Sequence, residues 1–289
     1  MKCFVNLFSK KLDTRRLWWY NFFKWKELTM GKFDGVLICS DWDGTLFCGS
    51  EVPKGSVRAI RYFQSEGGVF TICSGRQPSF LREYGHFVTP NTYALCYNGA
   101  LICDLESGEI IKDGRVGTEA FDAADMLLDC GADIKVVNIA CVGENEFRRF
   151  TPEEFRARKS ELSGLAVYKI TVGGVDESDG LMMVEAIKKA GLTEHSGVRS
   201  FKSYIEILHN DNLKGTAARF LKERIGATLL VGMGDYENDF DLIEKADIGY
   251  AVGNAIDELK KIADKVTVRC DECAVARVIE DIENMLAKR

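Results

Sequence analysis

Proline is scarce in this chain: four residues, against 27 glycines, in a length of 289. That balance argues for many tight turns and against stiff Pro-rich linkers. Long apolar runs are also missing. None approaches the roughly 18 residues that a membrane span needs, and no small-residue cleavage site follows an apolar stretch, so no membrane partner is expected for the core and no signal peptide is expected. Positive charge is not in surplus. With 38 Lys+Arg against 44 Asp+Glu and a net charge of -6, no global basic field points to nucleic acid. Histidine is rare, and His86, His195 and His209 show no spacing that suggests chemistry.

The ten cysteines lack the dense, regular spacing of small secreted domains. Cys39, Cys73 and Cys96 sit in or beside apolar runs, where a free cysteine behaves as a small buried hydrophobe. The expectation is a reduced, cytoplasmic protein. Cys270-Asp-Glu-Cys273 has neither a second pair nor a nearby His, so it reads as a turn rather than a zinc site. Hydrophobic residues at 46% and charged residues at 28% are ordinary for a globular protein and exclude disorder. The length suits one large domain or two modest ones.

Residues 1–33 differ from the rest. Up to Met30 they carry Lys2, Lys10, Lys11, Arg15, Arg16, Lys24 and Lys26 against Asp13 and Glu27, interleaved with Trp18, Trp19, Trp25 and several Phe. This is either an interfacial basic helix or an appended leader, with Met30-Gly31-Lys32 as the natural start. The second reading is preferred.

From residue 35 the pattern alternates. Gly35–Cys39 is a continuous apolar run, as expected of a strand buried on both faces. A helix follows at 56–66, then a strand at 69–73, a helix at 78–84 and a strand at 93–97. The rhythm resumes with helices at 214–225, 238–246, 256–263 and 274–287 and strands at 228–231, 248–252 and 266–268. Such alternation implies an α/β fold, a Rossmann-like parallel sheet with right-handed crossovers. Between the halves, strands at 134–140 and 166–172 and helices at 121–128 and 180–190 suggest an inserted α+β module. The expected organisation is a core of 34–112 and 201–289, with the insert at 113–200.

Asp41-Trp42-Asp43-Gly44-Thr45 directly follows the first buried run, and open α/β sheets bind ligands at the carboxyl ends of their strands. Two residues apart on extended chain, Asp41 and Asp43 point one way and Trp42 the other. Convergent carboxylates repel unless a cation or shared proton compensates, and a few carboxylates with room for water and phosphate suit Mg²⁺. Alone, such a stretch is equally a solvated acidic turn. A second cluster, Gly234-Asp235-Tyr236-Glu237-Asn238-Asp239, again places acids between an apolar strand and a helix. Asp235 would complete a metal site, while Asn238 and Asp239 orient ligands or cap the helix. Cys73-Ser74-Gly75-Arg76 offers a hydroxyl, backbone N–H groups and a guanidinium to a phosphate. Lys214-Gly215-Thr216 opens a helix, where a lysine can neutralise a phosphoryl oxygen, although alone it reads as a surface lysine.

In order, D-W-D-G-T, S-G-R, K-G and G-D-Y-E-N-D resemble the four motifs of the haloacid dehalogenase superfamily. Over nearly all of 34–289 the chain looks most like the Cof-like branch of metal-dependent sugar-phosphate phosphatases. The resemblance implies that Asp41 is the nucleophile, forming an aspartyl-phosphate, and that Asp43 is the acid and base. Mg²⁺ would be held by Asp41, the Asp43 backbone carbonyl and Asp235, with Asp239 behind them. Ser74 (with Gly75 and Arg76) and Lys214 would neutralise phosphoryl oxygens. Asn98, in an N-G-A turn, and Asn238 would touch a small phosphorylated substrate. The inserted module would be a cap that reads the substrate, with Glu144, Arg148, Arg149, Tyr168 and Lys169 as candidates to face the cleft. A phosphomutase and a non-catalytic module are the alternatives. Two departures stand out: Ser74 replaces the commoner Thr, and His209–Leu213 lacks the usual Pro-Lys-Gly.

Overall fold

The computed structural model describes residues 31–141 and 147–288. The basic aromatic segment up to Met30 and Glu144 lie outside the described residues. The chain begins with β1 (Val36–Ser40), α1 (Lys54–Ser65), β2 (Val69–Ile72), α2 (Pro78–Glu83) and the short strands β3 (Ala94–Cys96), β4 (Leu101–Cys103) and β5 (Ile110–Asp113). Then come α3 (Thr118–Leu127), β6 (Val136–Cys141), β7 (Phe147–Phe150), α4 (Pro152–Leu162), β8 (Val167–Gly173), α5 (Glu177–Ala190), β9 (His195–Phe201) and β10 (Tyr204–His209). The last part holds α6 (Lys214–Ile225), β11 (Leu229–Gly234), α7 (Phe240–Lys245), β12 (Ile248–Ala251), α8 (Asp257–Ile262), β13 (Lys265–Val266) and α9 (Ala274–Leu286).

The order β13-β12-β11-β1-β2 forms one sheet, and its pairings are all parallel. β1, flanked by β11 and β2, is buried on both faces, as a Val-Leu-Ile-Cys run requires. Ile38 packs with Phe63, Val231 and Val278 on one face, and Leu37 and Cys39 with Ala217, Leu221 and Leu230 on the other. The strand expected at 93–97 is only partly in this sheet. One parallel bridge, Cys73 to Leu95, ties it there, while β3, β4 and β5, in that order, form a separate antiparallel sheet. The helix expected from Asn238 starts as a 3-10 turn, Glu237–Asp239, before α7.

The second unit is an antiparallel sheet, β7-β6-β8-β10-β9. One face carries Val137, Ile139, Ile170, Val172, Ile205 and Ile207, which pack with Phe121 and Phe155 of α3 and α4. The alternate residues face the other way, toward the parallel sheet's carboxyl edge. This sheet runs past the expected boundary at 200. β9 crosses that point and turns at Lys202–Ser203 into β10, because the hairpin's ladder is completed only at His209.

Among the described residues no helix is long and apolar enough to cross a membrane. The all-thiol expectation meets one exception. Cys48 and Cys270, 222 residues apart in sequence, are joined as a disulfide with Cα atoms 5.9 Å apart, a pairing that spacing cannot show. Cys39, Cys73 and Cys96 are free and buried, as expected.

Candidate active site

β1 and β11 lie side by side in register, Ser40 opposite Met233, so the residues following them emerge at one place. Asp41 is held there by its N–H, which donates to the Met233 carbonyl at 2.9 Å. Trp42 turns inward, fully buried and stacked on Phe47 at 5.3 Å, as alternation on an extended strand requires. Gly44 then turns with φ +82°, and a Cβ there would lie 2.4 Å from Asp235 Oδ2, so only glycine lets the two acidic loops close on each other.

Lys214 enters from the first turn of α6. Its neighbour Gly215 makes this approach possible, since a Cβ there would sit 1.8 Å from the Asp241 carbonyl oxygen of α7. The Lys214 side chain is fully buried, and its Nζ donates to Asp41 Oδ1 and Asp239 Oδ1, each at 2.6 Å. The surface-lysine alternative is therefore excluded. Asp239 uses its other oxygen to accept from the N–H groups of Asp235 and Tyr236, at 2.9 and 3.1 Å. It both caps its turn and anchors the lysine.

Carboxylate oxygens of Asp41, Asp235 and Asp239 all lie within 4.8 Å of one another. Burial, reinforced by Asp239 and Asp235, pushes the Asp41 carboxyl well above the usual range despite Lys214. Burial and the Asp239 charge push Asp235 up to about 7. Burial alone would lower Lys214, but Asp239 and Asp41 outweigh it and hold the ammonium charged. Carboxylates this crowded favour a proton or a cation between them. An oxygen donor set with open space beside it fits Mg²⁺. Asp41 and Asp235 would hold the ion, since Asp239 already spends its oxygens on Lys214 and two N–H groups.

Asp43 adds no carboxylate to that group. Its side chain turns to Arg76 in a two-pronged pair, Nε to Oδ2 at 2.8 Å and the terminal nitrogen to Oδ1 at 3.0 Å. A guanidinium fork offsets the repulsion a fourth close acid would meet. It also occupies the guanidinium expected to bind phosphate, which lies over the Phe80 ring at 4.5 Å. Ser74 is buried at the end of β2, its hydroxyl accepting from the Arg76 N–H at 3.2 Å. Asn98 sits at φ +61° with its N–H on the Ser74 carbonyl at 2.8 Å, and its side-chain oxygen accepts from Asn238 at 3.2 Å.

Asp41, Asp43, Ser74, Gly75, Arg76, Asp235 and Asn238 line a cavity of about 880 Å³ between the two units. Lys214, Asp239 and Asn98 stand behind its wall. Of the cap candidates, Lys169 lines it. Tyr168 does not: it stacks on Tyr97 at 4.9 Å in the core. Arg148 and Arg149 are on β7, whose Phe147 reaches the cavity instead.

The reading of the sequence missed Glu206. It lies on β10, lines the cavity, pairs with Lys169 and accepts from Asn98. The one available signal was an acid flanked by Ile205 and Ile207 in an otherwise apolar strand. Thr45, which donates to Asp235 at 3.0 Å, and Asn254, which donates to the Gly44 carbonyl at 2.8 Å, were likewise unmarked.

Acids and a buried lysine thus gather at the carboxyl edge of a parallel sheet, beneath a second α+β unit, where open α/β sheets bind their ligands. The haloacid dehalogenase-like hydrolase family matches residues 38–279, and the chain belongs to that family. A phosphoglycolate phosphatase of Archaeoglobus fulgidus is 29% identical over 251 residues, covering 86% of this chain and 97% of that protein. A 5-amino-6-(5-phospho-D-ribitylamino)uracil phosphatase of Bacillus subtilis is 23% identical over 267 residues, 85% of this chain and 96% of its own. A solved sugar phosphatase of subclass IIB superposes with TM-score 0.67 at 19% identity, covering 85% of this chain and 98% of that one. The chain is a phosphatase of this family.

Proposed function

We propose that the protein is a Mg²⁺-dependent, cytoplasmic phosphatase of small phosphorylated metabolites, sugar phosphates foremost, and that it works through an aspartyl-phosphate on Asp41. The observation that carries this reading is the 2.6 Å contact between Asp41, which lines the cavity, and Lys214 behind its wall. One Asp41 oxygen is fixed by the lysine, which leaves the other free to attack phosphorus and form the covalent ester. Asp41 and Asp235 would hold Mg²⁺, which would supply charge screening between the carboxylate and the phosphoryl oxygens.

The chain's own groups do the rest. Lys214 Nζ and the Ser74 hydroxyl neutralise the equatorial oxygens as charge spreads in the transition state. Asp43 gives a proton to the leaving alcohol and then takes one from the attacking water, with Arg76 setting its orientation. Asn238, which lines the cavity and donates to Asn98 at 3.2 Å, presents its side-chain oxygen toward the substrate, with Asn98 holding it in place from behind.

The test is a phosphate-release screen across sugar phosphates, nucleotides and phosphorylated cofactors, with and without Mg²⁺. Release is expected only with the ion, and Asp41→Asn is expected to bring it to background. Full activity in that variant rules the reading out.

A further inference from the structure

The side of the cavity opposite Asp41 has a chemistry of its own. Asn138, Thr171 and Glu206 stand opposite one another across β6, β8 and β10, and Lys169 lies two residues along β8 on the same face. Lys169 and Glu206 are 4% and 6% exposed and form an ion pair at 2.5 Å. Desolvating such a pair costs more than it returns unless hydrogen bonds complete it. Here each partner is tied across to the parallel-sheet unit. Lys169 Nζ donates to the Gly75 carbonyl at 2.9 Å, and Glu206 accepts from the Asn98 amide.

The inventory of this wall is short. An ammonium has three N–H groups and a carboxylate about four lone-pair positions. Two of the former go to Gly75 and Glu206, and two of the latter to Lys169 and Asn98. One donor and free lone pairs remain, with no net charge. The other cations lining the cavity are also matched: Arg76 by Asp43, and Lys202 by Glu177 at 3.4 Å. The described lining therefore holds no lysine or arginine that lacks a carboxylate beside it.

We propose that Lys169 and Glu206 determine which leaving group is accepted, selecting an uncharged hydroxyl-bearing alcohol over one that carries a second anionic group. This rests on the phosphatase reading above. With the phosphoryl group at Asp41, the remainder of the substrate reaches the cap wall. A hydroxyl there donates to Glu206 and accepts from Lys169. A carboxylate at the same place faces the charge of Glu206, a side chain largely shielded from solvent, with its natural counter-ion already neutralised.

Glycerol 3-phosphate and 3-phosphoglycerate form the matched probe, since one carbon is CH₂OH in the first and carboxylate in the second. The kcat/KM of each is measured by phosphate release with Mg²⁺. Their Kd values are measured by calorimetry on Asp41→Asn protein, where turnover does not intervene. The wild-type chain should prefer glycerol 3-phosphate at least tenfold. Glu206→Gln leaves Lys169 charged and unmatched, so the preference should fall at least tenfold or invert. Glu206→Asp should restore it, and Lys169→Met should move it the other way. A Glu206→Gln ratio within twofold of wild type overturns the proposal, as does a wild-type preference for 3-phosphoglycerate. If Glu206→Gln does not fold, the Lys169→Met ratio decides in its place. Absence of phosphate release from any compound would count against the phosphatase reading alone, because the Kd ratio still reports on the pair.

Discussion

Lys214 Nζ lies 2.6 Å from Asp239 Oδ1, and both side chains are completely closed off from solvent. The same nitrogen reaches Asp41, so a residue with no exposed surface fixes the position of the proposed nucleophile from behind. Removing one partner of a buried pair leaves an uncompensated charge and costs about 3–5 kcal/mol. Asp239→Asn should therefore lower the thermal midpoint by roughly 6–20 °C. Lys214→Met should destabilise similarly, and the double variant should lose clearly less than the two together. Additive losses in that cycle, read by thermal unfolding, would mean that the pair is not coupled.

Asp43 and Arg76 make the opposite kind of pair, half-exposed at the mouth of the cavity. As a stability element it is minor, about 0–1 kcal/mol, so its worth lies in where it holds the carboxylate. On the proposed mechanism Asp43→Asn removes proton donation to the leaving oxygen. Turnover of an alkyl phosphate should fall about 10²–10⁴-fold. p-Nitrophenyl phosphate, whose leaving group departs without a proton, should lose far less in its first step. Rapid-quench measurement of that step on both substrates makes the comparison. Equal losses would assign Asp43 to binding instead.

How much of this was legible beforehand depended on the range of the interaction. Asp41, Ser74 and Asp235 each announce themselves locally, as a polar residue placed where an apolar run stops, and parallel pairing then brings such strand ends to one edge, whereas Lys214, at the start of a helix, alone reads as a surface lysine. Glu206 has no such local mark, because its partners are distant in sequence: Lys169 lies on the neighbouring strand β8 and Asn98 in the turn after β3, and only the finished fold brings them to it. The boundary at 200 was misplaced for a related reason: β9 is polar along much of its length, and only the hairpin pairing with β10 shows that it belongs to the second sheet. The turn of Asp43 toward Arg76 was hidden too, since both residues are charged and each had been given a separate task at the phosphate. Cys48 and Cys270 lie on loops brought together only by the finished fold.

Glu119, at the start of α3, stitches that helix to the chain entering β9. Its carboxylate accepts from the Thr193 N–H and hydroxyl and from the Glu194 N–H, each at 3.0 Å, and lies 2.6 Å from His195 Nδ1. His195 Nε2 accepts from the Gly117 N–H at 3.0 Å, which assigns the ring proton to Nδ1. The Thr193 N–H first, and His195 next, hold the Glu119 carboxyl down at about 2, against about 4.3 in an unfolded chain. The folded value is the lower one, so at acid pH the unfolded chain takes up the proton first. The stabilisation is complete above about 4.3 and drains away as pH falls toward 2. Glu119→Gln should thus be less stable than wild type at pH 7, with the difference narrowing only below about pH 4.3. Urea midpoints of both proteins from pH 7 to 3 measure this, and a gap that stays constant across the range would show that the ionised carboxylate is not what ties the helix to the strand.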